Sequence, residues 1–222
     1  MTLLGLLGGT GDLGCALAIH LSKKHELMLG SRNIEKAKAT VDEIIAEKDH
    51  DYLARNLKSA ENTTVAAKCD FIILTVPHGN ALETVRNLST KFRGNQILVS
   101  AVAAVVKNGE EFVVDNNPSG TSFAQKIREI IPTSVKVAVA FQTVPANILY
   151  REKEISADVP VAAESVEDYQ LVASIVSEIE GLRPLRIGGL KQAGEIEGLT
   201  TLLLNIAKRN ALKSPTIKFP SF

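Results

Sequence analysis

The chain has 222 residues, 45% of them hydrophobic, enough for one large domain or for one domain with a small appendage. Its 25 basic and 25 acidic residues cancel, which argues against a nucleic-acid-binding surface, normally marked by a basic excess. Two cysteines, Cys15 and Cys69, imply no disulfide framework and fit a reducing cytoplasm; no apolar run is long enough to span a bilayer, and the first residues do not read as a signal peptide.

Leu3 to Leu7 reads as a short buried strand that ends in glycines. Residues 13–24 carry apolar side chains at helical spacing, and residues 26–30 form a second short apolar run. Residues 33–59 read as a surface helix followed by a loop, with Ala37, Val41, Ile44 and Ile45 on the apolar face. Phe71 to Val76 is a third strand, which Pro77 stops, and residues 79–91 are a helix. Further strands are expected at 96–102 and 135–141. Continuously apolar strands alternating with helices specify a parallel sheet covered on both faces, an α/β fold of the Rossmann-type, doubly wound kind.

Beyond a soft boundary near Pro145 to Glu154 the pattern is less regular. A strand at 159–162, a helix at 165–180 between an N-cap at Ser165 and a stop at Gly181, a strand at 182–187 and a long apolar helix at 190–211 are expected. The division is thus residues 1–150, the Rossmann domain, and 151–222, a small C-terminal α/β extension. The long helix and the apolar tail Ile217-Lys218-Phe219-Pro220-Ser221-Phe222 present surface that needs covering, by a second copy in a homodimer or by the chain itself.

Gly9-Thr10-Gly11-Asp12-Leu13-Gly14 fits G-x-G-x-x-G, and it follows a strand and opens a helix, the context that gives this weak pattern its meaning. One glycine permits the turn, one lets backbone N–H groups approach a pyrophosphate, and one allows close helix–strand packing, with the helix N-terminus beneath the anion. An NAD site would place an acid about 20 residues further on. Ser31 and Arg32 stand there instead, with Lys36 a turn later. A hydroxyl and two cations suit a 2′-phosphate, so the expected cofactor is NADP(H).

His78 follows the third strand, where a doubly wound sheet opens its ligand crevice; it is either a cofactor or substrate contact or a partly exposed loop residue. Cys15 is expected to pack under the loop. No His or Cys has metal-ligand spacing, and the serines lack a G-x-S-x-G elbow. Residues 115–120 read as a polar loop, and Gln142 to Ala146 lie on the same sheet edge as the glycine turn.

Gly8 to Gly14, Gly30-Ser31-Arg32 with Glu35-Lys36-Ala37, Cys69-Asp70 through Pro77, Thr143-Val144-Pro145-Ala146, Leu199-Thr200, Leu204-Asn205-Ile206 and above all Ser177 to Leu185 carry a family resemblance. Along nearly its whole length the chain resembles the coenzyme F420-dependent NADP oxidoreductases of archaea and actinobacteria. The resemblance implies hydride transfer between the 5-deazaflavin F420 and NADP(H). It implies pyrophosphate contacts at Thr10, Gly11, Asp12 and Leu13 and 2′-phosphate contacts at Ser31, Arg32 and Lys36. It places Val76, His78, Ala103 and Ala146 along the nicotinamide half, and the deazaflavin near Gln142, Val144 and the C-terminal tail. The chain departs from the family pattern at Gln142, commonly His, at Pro77-His78-Gly79-Asn80, and at Lys213-Ser214-Pro215-Thr216. The alternatives are an NADPH-dependent reductase of another acceptor (a flavin, a metal chelate, an imine or a carbonyl compound) and a non-catalytic NADP(H)-sensing module.

Overall fold

The computed structural model describes residues 2–115 and 121–220. The expected polar loop at 115–120 and the tail beyond Pro220 therefore lie, apart from Asp115, outside the described residues. In chain order the elements are β1 (Leu4–Leu7), α1 (Asp12–Leu21), β2 (Leu27–Ser31), α2 (Ile34–Lys48), α3 (Asp51–Asn56), β3 (Leu57–Glu61), α4 (Asn62–Lys68), β4 (Phe71–Leu74), α5 (His78–Leu88) and β5 (Ile97–Ser100). There follow β6 (Val105–Asn108), β7 (Glu111–Val114), α6 (Phe123–Ile130), β8 (Lys136–Val139), α7 (Ala146–Tyr150), β9 (Ala157–Ala163), α8 (Val166–Val176), β10 (Leu182–Gly188), a 3-10 turn (Leu190–Gln192) and α9 (Ala193–Arg209).

Eight strands form one sheet in the order β10-β9-β8-β5-β4-β1-β2-β3. All neighbouring pairs are parallel except β8–β9. The order reverses about β1, which lies between β4 and β2, and this is where a doubly wound sheet opens a crevice at its carboxyl edge. The central strands β1, β4 and β5 are buried along their whole length, as apolar runs without alternation require. The expected α/β Rossmann-type architecture is thus observed, with β9 and β10 continuing the sheet from residues 151–222. Among the described residues no helix is long and apolar enough to cross a membrane.

Three stretches differ from the sequence reading. The loop expected up to residue 59 forms α3 and then enters β3, an edge strand paired, among the described residues, only with β2. Its buried positions, Leu57 and Ala60, are three apart, so it lacks the period of a half-buried strand. Between β5 and β8 the chain inserts the hairpin β6–β7, whose loop begins at Gly109 with φ +56°. There too lies α6, closed by a capping box in which Ser122 and Gln125 exchange side chain–backbone hydrogen bonds. The helix expected at 165–180 is shorter, ending at Val176, but Ser165 caps it by accepting from the Asp168 N–H at 3.0 Å.

Candidate functional site

The carboxyl ends of four strands are stitched into one row. Thr75 donates its N–H to Leu7 O at 2.9 Å, Ala101 to Leu74 O at 3.1 Å, and Ala140 to Ser100 O at 3.2 Å. The glycine turn, Val76, the loop 101–104 and Phe141 to Ala146 therefore leave the sheet side by side.

Within the turn the glycines have separate duties. Gly8 has φ +74°, and a Cβ there would lie 2.5 Å from Val76 Cγ2. At Gly9 a Cβ would meet Leu29 and Leu6 at 2.9 Å, and at Gly14 it would fall 2.4 Å from Gly9 O. These three are required by packing. At Gly11 the nearest atom would be Gly8 O at 3.9 Å, so this glycine keeps open space above α1. Gly11 is also the N-cap of α1 and offers no capping side chain, which leaves first-turn N–H groups for an anion. A bare helix start beneath an open glycine fits a pyrophosphate. Asn62, the first residue of α4 and buried, braces the turn by accepting from the Gly8 N–H at 3.2 Å.

Ser31 ends β2, and its Oγ accepts from the Asn33 N–H at 3.2 Å. Asn33 caps α2 by accepting from the N–H groups of Glu35 and Lys36. Arg32 and Lys36 are both exposed, and among the described residues neither enters an ion pair. Arg32 borders a recess of about 250 Å³ with Asn62, Thr63, Thr84 and Asn87. Two uncommitted cations at the end of β2 leave room for a phosphate.

Two larger recesses meet at the exit of β8. One, about 570 Å³, lies between Asp12 and Cys15 of α1 and Ala146, Asn147 and Tyr150 of α7. The other, about 620 Å³, is a mainly apolar cleft walled by Phe112, Gln142, Val144, Leu203, Leu204 and Leu212. Asn147 borders both. Phe141 is buried with φ +75°, a left-handed conformation that costs a bulky residue about 1–2 kcal/mol and turns the chain sharply where β8 ends. Gln142 then donates Nε2–H to Ser100 O at 3.2 Å, while its buried Oε1 has no protein partner. The buried Thr143 Oγ1 in the same wall is also unpartnered. An apolar slot with unused polar atoms suits a flat, edge-polar ring.

His78 stands at the start of α5, its Nε2 3.3 Å from Asp115 Oδ2 and its ring 5.0 Å from that of Phe123. Ala103 is half-buried in the loop after β5 and accepts from the Val105 N–H. Cys15 Sγ lies 3.6 Å from Gly9 O, and burial, reinforced by the Asp12 charge, pushes its thiol up to about 11. It sits beneath the loop at the edge of the first recess, with its thiol held in the protonated form.

The elements of the site were legible in unequal measure. Glycines and cations announced the dinucleotide side. Asn62 and the hairpin residue Phe112 were missed, although Asn108-Gly109 between apolar runs is a hairpin signal. Asn205 of α9 holds that hairpin in place, accepting from the Phe112 N–H at 2.9 Å and donating to Phe112 O at 2.7 Å.

Sheet order, switch-point crevice and glycine cradle together define a doubly wound α/β protein of the dinucleotide-binding type. Residues 3–104 match the family described as NADP oxidoreductase, coenzyme F420-dependent. Similarity extends well beyond that segment. A Methanocaldococcus jannaschii protein named F420-dependent NADP reductase is 28% identical over 91% of both chains. A Methanothermobacter thermautotrophicus protein of the same name is 27% identical over 97% of this chain and 93% of its own. The fold matches the crystal structure of an Arthrobacter sp. FB24 protein, proposed to be an F420-dependent NADP reductase, with a TM-score of 0.84 over the whole of both chains at 16% identity.

Proposed function

We propose that the chain transfers a hydride between NADP(H) and the deazaflavin coenzyme F420, as the names of its curated relatives describe for those proteins. The observation that carries this reading is the meeting of the two recesses. A dinucleotide laid from Arg32 across the glycine turn ends near Val76 and Ala146. There Pro145, Ala146 and Asn147 separate it from the apolar cleft by a single turn of chain. Hydride passage between nicotinamide C4 and deazaflavin C5 is chemistry of the two coenzymes, and the protein has to bring those carbons to about 3–3.5 Å and exclude water.

Each group of residues then has one task. Gly9, Thr10, Gly11, Asp12 and Leu13 hold the pyrophosphate through backbone N–H groups. Ser31, Arg32 and Lys36 hold the 2′-phosphate. Val76, His78, Ala103 and Ala146 flank the nicotinamide, and Gln142 and Val144 form the acceptor wall. Gln142 Oε1 accepts from a ring N–H, which repairs its unpaired state. No side-chain acid or base is needed. In this division residues 1–150 bind NADP(H), while residues 151–222 complete the acceptor cleft through α9. A homodimer through the outer face of α9, where Leu202 and Ile206 are 54% and 40% exposed, and residence in the cytoplasm complete the proposal. The test is to mix the protein with NADPH and oxidised F420 and follow the loss of the deazaflavin absorbance, with FMN in parallel. Bleaching of F420 is expected, and FMN reduction without it would refute the assignment.

A further inference from the structure

Gly181-Leu182-Arg183-Pro184-Leu185, the most distinctive stretch of the sequence, borders neither of the two recesses that meet at Asn147. Its arginine holds another part of the chain. Arg183 on β10 is the register partner of Asp158 on β9. Its guanidinium forks onto that carboxylate, Nε to Oδ1 and Nη2 to Oδ2, both at 2.7 Å. Asp158 is fully buried. The pair also grips the end of the chain. Phe219 donates its N–H to Asp158 Oδ2 at 2.5 Å, Arg183 Nη2 donates to Phe219 O, and the Asp158 N–H donates to Ile217 O at 2.8 Å. Lys218 Nζ lies 4.0 Å from Asp158 Oδ1 and donates to Ser156 Oγ at 2.9 Å.

The segment held in this way is a wall of the apolar cleft. Ala211, Leu212, Ser214 and Pro215 line it, and Ser214 Oγ donates to Oδ1 of Asn147, the residue shared by both recesses. Ala211 and Ser214 have φ +52° and +57°. Non-glycine residues keep such conformations only where their surroundings over-determine them. Here the strap is fixed upstream by α9, through the Leu212 N–H to Ala207 O at 3.0 Å, and downstream by the Asp158–Arg183 fork.

We infer that Asp158 and Arg183 are positioning residues for the hydride acceptor: they pin the C-terminal strap so that it forms one side of the acceptor cleft. The inference rests on the reading of that cleft as the acceptor site. Arg183 suits this task through its planar fork, which reaches carboxylate and backbone carbonyl together and which a lysine cannot reproduce.

The test uses Arg183→Met, Arg183→Lys and Asp158→Asn in the full chain. Phe219→Pro is added because it removes the donated N–H at the strap's end, together with the half-exposed Phe219 ring, while leaving the Asp158 and Arg183 side chains in place, which guards against misfolding of the core variants. The acceptor KM is expected to rise roughly tenfold or more. The NADP+ dissociation constant should stay within about twofold of wild type, and Arg183→Lys should recover only part of the loss. Hydrogen exchange should accelerate across residues 211–219 and not in the glycine turn. An unchanged acceptor KM in both Arg183→Met and Phe219→Pro would overturn the inference, as would unchanged exchange in the strap. If the wild-type protein does not reduce F420, it is the functional reading that fails. The exchange experiment and the KM for whichever acceptor is reduced then still decide the role of the fork.

Discussion

Two alanine substitutions in the glycine turn should have opposite signatures. At Gly11 the backbone has φ −91° and ψ 169°, which alanine adopts freely, and the added Cβ meets nothing nearer than 3.9 Å. The apo protein should therefore unfold within about 0.5 kcal/mol of wild type, or slightly later, because alanine restricts the unfolded chain. The methyl group nevertheless stands where the pyrophosphate has to approach the start of α1. NADP+ binding should weaken by about 10–100-fold, or about 1.4–2.8 kcal/mol. At Gly14 the Cβ would lie 2.4, 2.6 and 2.7 Å from the O, Cα and C of Gly9. All three are backbone atoms and none can rotate away, so α1 has to retreat from the turn. Overpacking of this kind costs about 1–3 kcal/mol. In a chain of this size each kcal/mol corresponds to roughly 2–4 °C in Tm. Urea unfolding of the apo proteins and calorimetric titration with NADP+ separate the two effects. Wild-type NADP+ affinity in Gly11→Ala would show that the pyrophosphate does not lie in this cradle, and a wild-type unfolding midpoint in Gly14→Ala would refute the packing argument.

Three further predictions follow from single side chains. Arg32→Gln should weaken NADP+ by roughly 10–100-fold, the value of one or two charge-assisted hydrogen bonds, while changing NAD+ by less than about threefold; equal losses on both titrations would exclude a 2′-phosphate contact. Glu197 on α9 is buried and accepts from the Phe123 N–H at 2.8 Å, and burial raises its carboxyl above the ordinary 4.5. Its folded-state proton is thus held more tightly than in the unfolded chain, so this stabilisation is complete below about pH 4.5 and lost as pH rises through the raised value. Glu197→Gln keeps the carbonyl acceptor, so its Tm should match wild type in acid and exceed it near neutrality. A difference that does not change with pH would contradict the assignment. Cys15 and Cys69, held at about 11 and about 12 by burial, should resist alkylation in the folded protein at neutral pH and react in urea, as counted by mass spectrometry.

What could be read from the sequence depended on where each function is stored. The dinucleotide turn is a backbone structure, and only glycine meets its demands at 8, 9 and 14, so residue type and spacing announced it. Arg32 was legible because its offset from the turn gives an exposed cation a meaning. Asn62 was not, because its bond to the Gly8 N–H joins residues 54 apart in sequence. Phe141 gave no hint either, since its type says nothing of a left-handed φ. Asp158 was not read as buried or paired, because nothing in the chain joins it to Arg183 before β9 and β10 pair.

The same distinction separates the two halves of the site physically. The half read as the dinucleotide side is made by neighbouring strands β1, β2 and β4, where an added Cβ would lie under 3 Å from a neighbouring side chain at Gly8 and Gly9 and from backbone at Gly14 and Gly30. The acceptor half gathers side chains from β7, the exit of β8, α9 and the strap, elements far apart in sequence that meet across an open cleft. Substitutions there alter a surface without colliding with a frame, and Gln142, Ser214 and Pro215 lie on it. On the proposed reading, Gln142 supplies an acceptor at this place. Its amide N–H is spent on Ser100 O, so the carbonyl is fixed as an acceptor whatever the pH, whereas a histidine at this place would accept only in its neutral form. A buried carbonyl left unpaired costs about 1–3 kcal/mol, and a ligand N–H that meets it recovers that energy on binding. Under the proposed assignment, Gln142 Oε1 and Thr143 Oγ1, both buried and unpartnered in the free protein, are the atoms that a shift of this wall would offer to a polar ring edge.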